Sequence, residues 1–269
     1  MSKFTHAGRS LLELLLLLAM GLVPVCTGLL VMFFQLEKKL AENASVSVKE
    51  AVFSVDQALD RLHEAALLAL PLAGKPCSEV MSTLHKQVAS YSMIRSLSLV
   101  EGNQAYCSST PDSLPQLTAF AMSGNRVELA NAPSAAPPKL LINYYLPSNE
   151  QAVILTAHAT QLRNELNAFQ DGLTLLLEFD DRYLWSHGDS RDEQRPSQSE
   201  FPESALSAKY GYQVKGGYAE GYTAREARQS MLQTLPSLML VGIMTSSIGY
   251  MALFRTRASK RRSTAADSA

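Results

Sequence analysis

The sequence predicts an α+β domain held between two membrane-spanning helices, on three observations. Two long uncharged apolar runs lie near the ends of the 269-residue chain. A stretch free of proline and glycine, with apolar residues at helical spacing, follows the first run, and short apolar segments joined by turn residues fill the remainder. From Leu14 to Phe34 about 21 residues pass without a charge, and from Leu235 to Phe254 about 20. At about 1.5 Å per residue either run crosses a hydrocarbon layer of roughly 30 Å. Glu13 sits at the edge of the first run, where a carboxylate reaches the headgroups. A cleaved signal peptide would have a shorter apolar core, of about 7 to 15 residues, whereas this run continues through Val31, Met32, Phe33 and Phe34. Val23, Pro24 and Val25 before Cys26 do not suit lipoprotein processing, so Cys26 is expected as an apolar residue buried in the membrane; the alternative is a cross-link between subunits.

The net charge of −1, from 24 Lys+Arg and 25 Asp+Glu, conceals an uneven distribution. Lys3, Arg9 and Glu13 give residues 1–35 a net +1; Arg255, Arg257, Lys260, Arg261, Arg262 and Asp267 give residues 255–269 a net +4, which leaves −6 between them. Basic flanks are retained on the cytoplasmic side of a membrane, so both termini are expected in the cytoplasm and the intervening segment outside it. An acidic middle offers no broad basic face, which excludes a nucleic-acid binder. The expected organisation is a cytoplasmic N-terminus over 1–10, a transmembrane helix over 11–35, a periplasmic domain over 36–231, a second transmembrane helix over 232–254 and a basic cytoplasmic tail over 255–269, in a bacterial inner membrane.

Within the domain, Leu40, Ala44, Val48, Ala51 or Val52, Val55, Leu59, Leu62, Ala66 and Leu70 mark one long amphipathic helix from Leu36, ended by Pro71, Gly74 and Pro76. Its stripe packs a core, or also meets a second subunit. A shorter helix is expected over Ser78–Ser90 with Ser78 as cap. Strands are expected over Met93–Val100 and Ala105–Ser108 around the turn Glu101–Gln104, and over Arg126–Ala130. A weak helical patch at Leu117–Met122 and a loop over Asn131–Pro138 flank the last of these. Leu140–Leu146 and Ala152–Ala157 form the clearest hairpin, and a helix over Gln161–Phe169 covers it. Leu173–Phe179 and Arg182–Trp185 flank a turn at Asp180-Asp181, His187–Pro202 reads as a mobile loop, and Tyr210–Val214 and Tyr218–Thr223 flank a turn at Gly216-Gly217. A long helix, antiparallel strands and a covering helix between two spans resemble the PAS-like or Cache-like input modules of bacterial receptors.

Cys77 and Cys107 are the two thiols outside the membrane, and in an oxidising compartment they have one connectivity open to them. Closing a loop of about 31 residues corresponds to roughly 3 to 4 kcal/mol. The pair reads as a structural staple, as a redox-responsive switch, or as two separate thiols. Arg95–Val100, the turn after it and Tyr106-Cys107-Ser108-Ser109, with Cys77 about thirty residues upstream, resemble the CSS-motif domain found before EAL-type cyclic di-GMP phosphodiesterases. The resemblance covers most of residues 10–255. It implies that Cys77 and Cys107 are the redox input, with Ser108 and Ser109 as motif members. The oxidised bridge would restrain the phosphodiesterase, and reduction would favour dimerisation through the second transmembrane helix and expose the domain to periplasmic proteases. The Glu-Ala-Leu signature and its metal-binding carboxylates are absent from the sequence, so no catalytic residue is assigned.

Gly242 with Ser246, and Thr245 with Gly249, are small-residue pairs four apart that permit close helix approach, and are the expected homodimer face. His63, His85, His158 and His187 lack metal-ligand spacing, so neither a metal nor another cofactor is expected. Asp180, Asp181 and Arg182 form a turn, or a charged pocket for a small molecule. The leading expectation is a redox-sensing inner-membrane input module, with periplasmic thiol-disulfide oxidoreductases and proteases as partners. The alternatives are a small-ligand receptor domain with a purely structural disulfide, and a silent membrane partner of full-length EAL proteins.

Overall fold

The computed structural model of the chain describes residues 2–102, 104–110, 126–131 and 140–266. The helical patch at 117–122 and nearly all of the loop over 131–138 fall outside these. The described residues form two compact units, 41–220 and, separately, 1–40 with 221–269.

In the first unit, helix α1 (Ser2–Ala69) supplies a spine from residue 41 onward. Ala44, Val48, Ala51, Val55, Ala58, Leu59, Leu62 and Ala66 are buried at three- and four-residue intervals, the face that the apolar spacing predicted. A single 3₁₀ turn, Leu70–Leu72, and Gly74 at φ 82° end it. Helix α2 (Cys77–Ser90) follows, with Val80 and Leu84 buried. Its start corrects the expected cap: Pro76 is the N-cap residue and Ser78 lies inside the first turn, because Pro76 at ψ 135° already ends the extended approach.

The strands make two antiparallel sheets. Strands β1 (Ile94–Glu101), β2 (Gln104–Ser108), β3 (Val127–Asn131), β4 (Leu140–Ser148) and β5 (Gln151–His158) form the first, in the order β2-β1-β5-β4-β3. Helix α3 (Thr160–Asn167) leads to the second, where β6 (Thr174–Phe179), β7 (Arg182–Trp185), β8 (Glu200–Leu206) and β9 (Gln213–Tyr218) lie in the order β7-β6-β9-β8. The β4–β5 hairpin keeps one register from Leu141 opposite His158 to Ser148 opposite Gln151. Residues 152–157 of β5 are all buried, so both faces of the first sheet are covered at its centre.

Two expectations for the second sheet are corrected. Gly216-Gly217 is no turn but the interior of β9, paired with Leu175 and Thr174. These glycines are there for close approach: a Cβ on Gly216 would lie 2.5 Å from Val48 Cγ2 of α1, and one on Gly217 would lie 2.8 Å from the Gln198 carbonyl oxygen. Residues 219–223 accordingly do not pair as a strand, and helix α4 (Tyr222–Ala266) begins after Gly221 at φ 77°. The end of the polar loop, from Glu200, is strand β8; most of it is solvent-exposed and its position at the sheet edge tolerates Pro202. Gly216→Val is expected to destabilise the domain by about 1 to 3 kcal/mol through overpacking against Val48 and Leu175, measured by chemical denaturation.

In the second unit two helical segments, within Leu14–Leu72 and Tyr222–Leu253, are long and apolar enough to cross a membrane. Apolar side chains such as Leu14, Leu18, Leu30, Phe34, Ile243, Met244, Ile248 and Met251 point outward, as lipid contact requires. Cys26 is also exposed on the helix surface rather than buried between helices.

Candidate functional site at the disulfide corner

The turn between α1 and α2 is fastened to the edge of the first sheet. Cys77 is the first residue of α2 and Cys107 lies on β2, which forms that edge; they are joined by a disulfide with a Cα–Cα distance of 5.4 Å. Cys107 is buried and Cys77 half-buried. Cys107 pairs with Leu99 of β1, and the register shifts between Leu99 and Val100, so the bridge sits at an irregularity in the ladder. Three further bonds converge here. The Gly74 amide donates to Tyr106 Oη at 2.9 Å, His85 Nε2 lies 2.8 Å from the Ser109 carbonyl, and Gln87 Nε2 donates to the Leu68 carbonyl at 3.1 Å. Together they link the last turn of α1, all of α2 and the outgoing strand.

Both motif serines are engaged in hydrogen bonds. Ser98 Oγ donates to Ser108 Oγ at 2.9 Å inside the sheet. Ser109 Oγ accepts the Leu97 amide at 3.0 Å, while the Ser109 amide donates to the Leu97 carbonyl at 2.9 Å. Ser109 therefore extends β2 past its last paired residue with the side chain acting as an acceptor, which keeps Cys107 aligned. His85, which the spacing placed among solvated or core histidines, clamps α2 onto this extension; its position, eight residues after Cys77 on a helix, was the readable signal.

A second network holds α1 to the second sheet, and no local motif announced it. Ser207 Oγ and Tyr212 Oη each donate to Asp56 Oδ1 at 2.7 Å, and Tyr212 Oη also lies 2.8 Å from the Val52 carbonyl. One turn further along, Asp60 accepts from Lys209 Nζ at 2.8 Å and from Tyr210 Oη at 2.6 Å. His63 Nδ1 is 2.8 Å from Tyr144 Oη of β4, and Ser54 Oγ donates to Glu165 of α3 at 2.6 Å. Burial, then the Asp56 and Asp60 carboxylates, push the Tyr212 and Tyr210 phenols far above their ordinary range, so both stay protonated donors. Lys209 and Tyr210 hold the Asp60 carboxyl below its ordinary value of 3.8. A depressed folded pKa contributes stability above the unfolded value, and that contribution is lost as pH falls through the folded one. The tie between α1 and residues 207–212 is therefore expected to be intact at neutral pH and to loosen only below about pH 4, read from carboxyl chemical shifts followed with the Lys209→Met variant as control.

The remaining expected residues fall elsewhere. Asp180 takes a turn conformation at φ 51°, and Arg182 Nη1 donates to the Leu129 carbonyl at 2.8 Å, joining β7 to β3. Gly242, Thr245, Ser246 and Gly249 all meet the membrane segment of α1 in the same chain. A Cβ on Gly242 would lie 2.6 Å from the Gly21 carbonyl oxygen, and one on Gly249 would lie 2.7 Å from Met20 Sδ. Thr245 Oγ1 donates to the Met20 carbonyl at 3.3 Å and Ser246 Oγ to the Leu17 carbonyl at 3.1 Å. Among the described residues no cluster of three or more His, Cys, Asp or Glu is placed to hold a metal ion.

Among solved structures, the ligand-binding domain of the Pseudomonas aeruginosa PAO1 amino acid chemoreceptor PctB, in complex with L-Arg, is similar. It is 13% identical, covers 78% of this chain and 98% of its own, and superposes with a TM-score of 0.54. The V. cholerae histidine kinase DctB sensor domain matches at 7% identity over 68% of this chain and 98% of its own, with a TM-score of 0.45. The Campylobacter jejuni chemoreceptor Tlp3 sensory domain matches at 11% identity over 70% and 97%, with a TM-score of 0.47. The PctB likeness identifies a Cache-like sensor-domain fold. No curated protein matches the chain. The model of the CSS motif domain associated with EAL matches residues 40–231, which contain both bridged cysteines and both motif serines, and the chain belongs to that family.

Proposed function

We propose that the chain is the redox-sensing input module of a membrane-anchored signalling protein, in which the Cys77–Cys107 bridge sets how firmly the α1–α2 corner is held to the first sheet. The observation that carries this reading is the position of the bridge: it joins the first residue of α2 to a strand at the sheet edge, where among the described residues β2 has only β1 beside it. Reduction removes the covalent tie and leaves the buried Val80 and Leu84, with the Tyr106 and His85 hydrogen bonds worth about 1 kcal/mol net each, to hold the corner to the sheet. Because α1 runs unbroken from Ser2 to Ala69, a loosened corner alters the end of the helix whose other end forms the first span.

In this reading the domain faces the periplasm of a bacterial inner membrane, with both termini in the cytoplasm, as the basic residues after Phe254 favour. Periplasmic thiol-disulfide oxidoreductases set the bridge. The output is a cyclic di-GMP phosphodiesterase of the EAL type acting with the module. The chain acts as a homodimer. Exposed Val46, Phe53, Leu67 and Leu68 on α1 offer an apolar face outside the membrane. The Gly242–Gly249 face, occupied by α1 of the same chain, serves a second copy only when the spans exchange partners. Phe53→Glu is expected to shift the solubilised protein from dimer towards monomer by at least tenfold in Kd, measured by analytical ultracentrifugation.

The test compares wild type with Cys77→Ser in membranes. The reading predicts faster proteolysis between residues 70 and 110 and altered cross-linking between copies; unchanged protease sensitivity together with unchanged cross-linking contradicts it.

A further inference from the structure

A proline lies inside the first span, Pro24 of α1. It has no N–H, so the Met20 carbonyl four residues earlier loses the amide that would close its turn. A hydrocarbon layer offers that oxygen no water, and a neighbouring helix has to supply the missing donor. The second span does so: Thr245 Oγ1 of α4 donates to the Met20 carbonyl at 3.3 Å. The same hydroxyl is within reach of the Val241 carbonyl at 3.0 Å and the Gly242 carbonyl at 2.9 Å. Both of those lie inside α4, where the amides of Thr245 and Ser246 already serve them. One hydroxyl proton is available, and Met20 is the acceptor without an amide of its own. The backbones come close on either side of this bond. A Cβ on Gly21 would collide with Ser246 Oγ, and one on Gly28 would lie 2.6 Å from Leu238 Cδ2.

The geometry points to Thr245 as a latch between the spans. By supplying the hydrogen bond that Pro24 removes, it holds the two spans of one chain in one register, and its release is the step that frees the second span for a second copy. The glycine contacts permit close packing, and the bond from Ser246 Oγ to the Leu17 carbonyl goes to an oxygen that the Gly21 amide already serves, so breaking it strands nothing. Breaking the Thr245 bond leaves the Met20 carbonyl without a donor in lipid, which opposes sliding or turning of α4 against α1 at this level. The bond is independent of the redox reading of the bridge; only the second copy rests on the homodimer proposed above.

Met20-Gly21 is the one Met-Gly pair in the sequence, so ¹³C at the methionine carbonyl and ¹⁵N in glycine isolate the Met20 carbonyl in solid-state NMR of the full chain in bilayers. Thr245→Val is expected to move this signal upfield and Thr245→Ser to leave it in place. In Pro24→Ala, where residue 24 regains its N–H, Thr245→Val should move it far less. For the release, Leu17→Cys and Tyr250→Cys, which line one groove of the span pair, are introduced into a Cys26→Ala chain and joined by a short bis-maleimide, with Cys77 and Cys107 left bridged. The ratio of cross-links between copies to those within a chain is expected to rise at least about threefold in Thr245→Val. An unmoved carbonyl in Thr245→Val, or an equal movement in the Pro24→Ala background, overturns the bond. A moved carbonyl with an unchanged ratio overturns the latch. No cross-link between copies in any variant contradicts the homodimer and with it the release step, while the carbonyl signal still decides the bond.

Discussion

Replacing Cys77 and Cys107 together by serine is expected to lower the unfolding free energy by about 3 to 4 kcal/mol. The two residues are 30 apart in sequence, so the bridge closes a loop containing the whole of α2, β1 and the hairpin turn, and without it the unfolded chain regains that freedom. The folded state also keeps less at this place than a central strand would. Among the described residues β2 pairs on one side only, and the contacts of α2 rest on Val80, Leu84 and the His85 and Gln87 bonds. The loss is therefore expected to be uneven. Amide exchange should accelerate first in 70–90 and 104–109, while β4 and β5, buried at the centre of the sheet, stay protected. Denaturation of the oxidised and reduced protein, followed by exchange on each, measures both parts. A uniform loss across both sheets would make the bridge a global staple.

Asp56→Ala is expected to cost about 2 to 4 kcal/mol. Asp56 Oδ1 receives Ser207 Oγ and Tyr212 Oη, each at 2.7 Å, and hydrogen bonds to a charged acceptor contribute about 1.5 to 3 kcal/mol. Tyr212 is 1% exposed, so its hydroxyl cannot turn to water; only the Val52 carbonyl at 2.8 Å remains. Tyr212→Phe removes the stranded hydroxyl together with its bond and should cost less, about 1 kcal/mol, and the double variant should cost less than the two single losses added. The consequence reaches beyond stability. Asp56 and Asp60 are where α1 is gripped by residues 207–212, a short way before the chain reaches α4, so the variant is also expected to uncouple the helix that enters the first unit from the segment that leaves it. Chemical denaturation gives the stability; proteolysis near residues 207–212 reports the loosening.

The features readable from sequence were those whose cause is local. The spacing from Ala44 to Ala66 specifies one buried helix face whatever the partner is, and Pro147 to Glu150 between two apolar runs specifies a hairpin. The cysteines were legible because two thiols leave one pairing. What sequence alone did not reveal depends on residues far apart in the chain. Gly216-Gly217 carries the composition of a turn, and only the approach of Val48, 168 positions earlier, makes it a strand interior. The make-up of the second sheet depends on which strand β6 takes on the side away from β7, β9 in this case, and nothing within β6 encodes that choice. Arg191 and Asp189 sit in a polar stretch that reads as solvated, and the ion pair from Arg163 of α3 to the buried Asp189, 26 positions away, is what ties that stretch to the domain. The small residues of the second span are compatible with a neighbour from either chain, and composition alone does not say which.

The redox account turns on whether the bridge opens in the cell. Differential alkylation of intact cells, one label before and a second after complete reduction, reads the thiol state of Cys77 and Cys107 separately. The account predicts a mostly oxidised pair that becomes labelled at both positions within minutes of mild reducing stress and returns to the bridge on recovery. A pair that stays oxidised under that stress, while an exposed control disulfide in the same compartment is reduced, would show the bridge to be a staple and contradict the proposed switch.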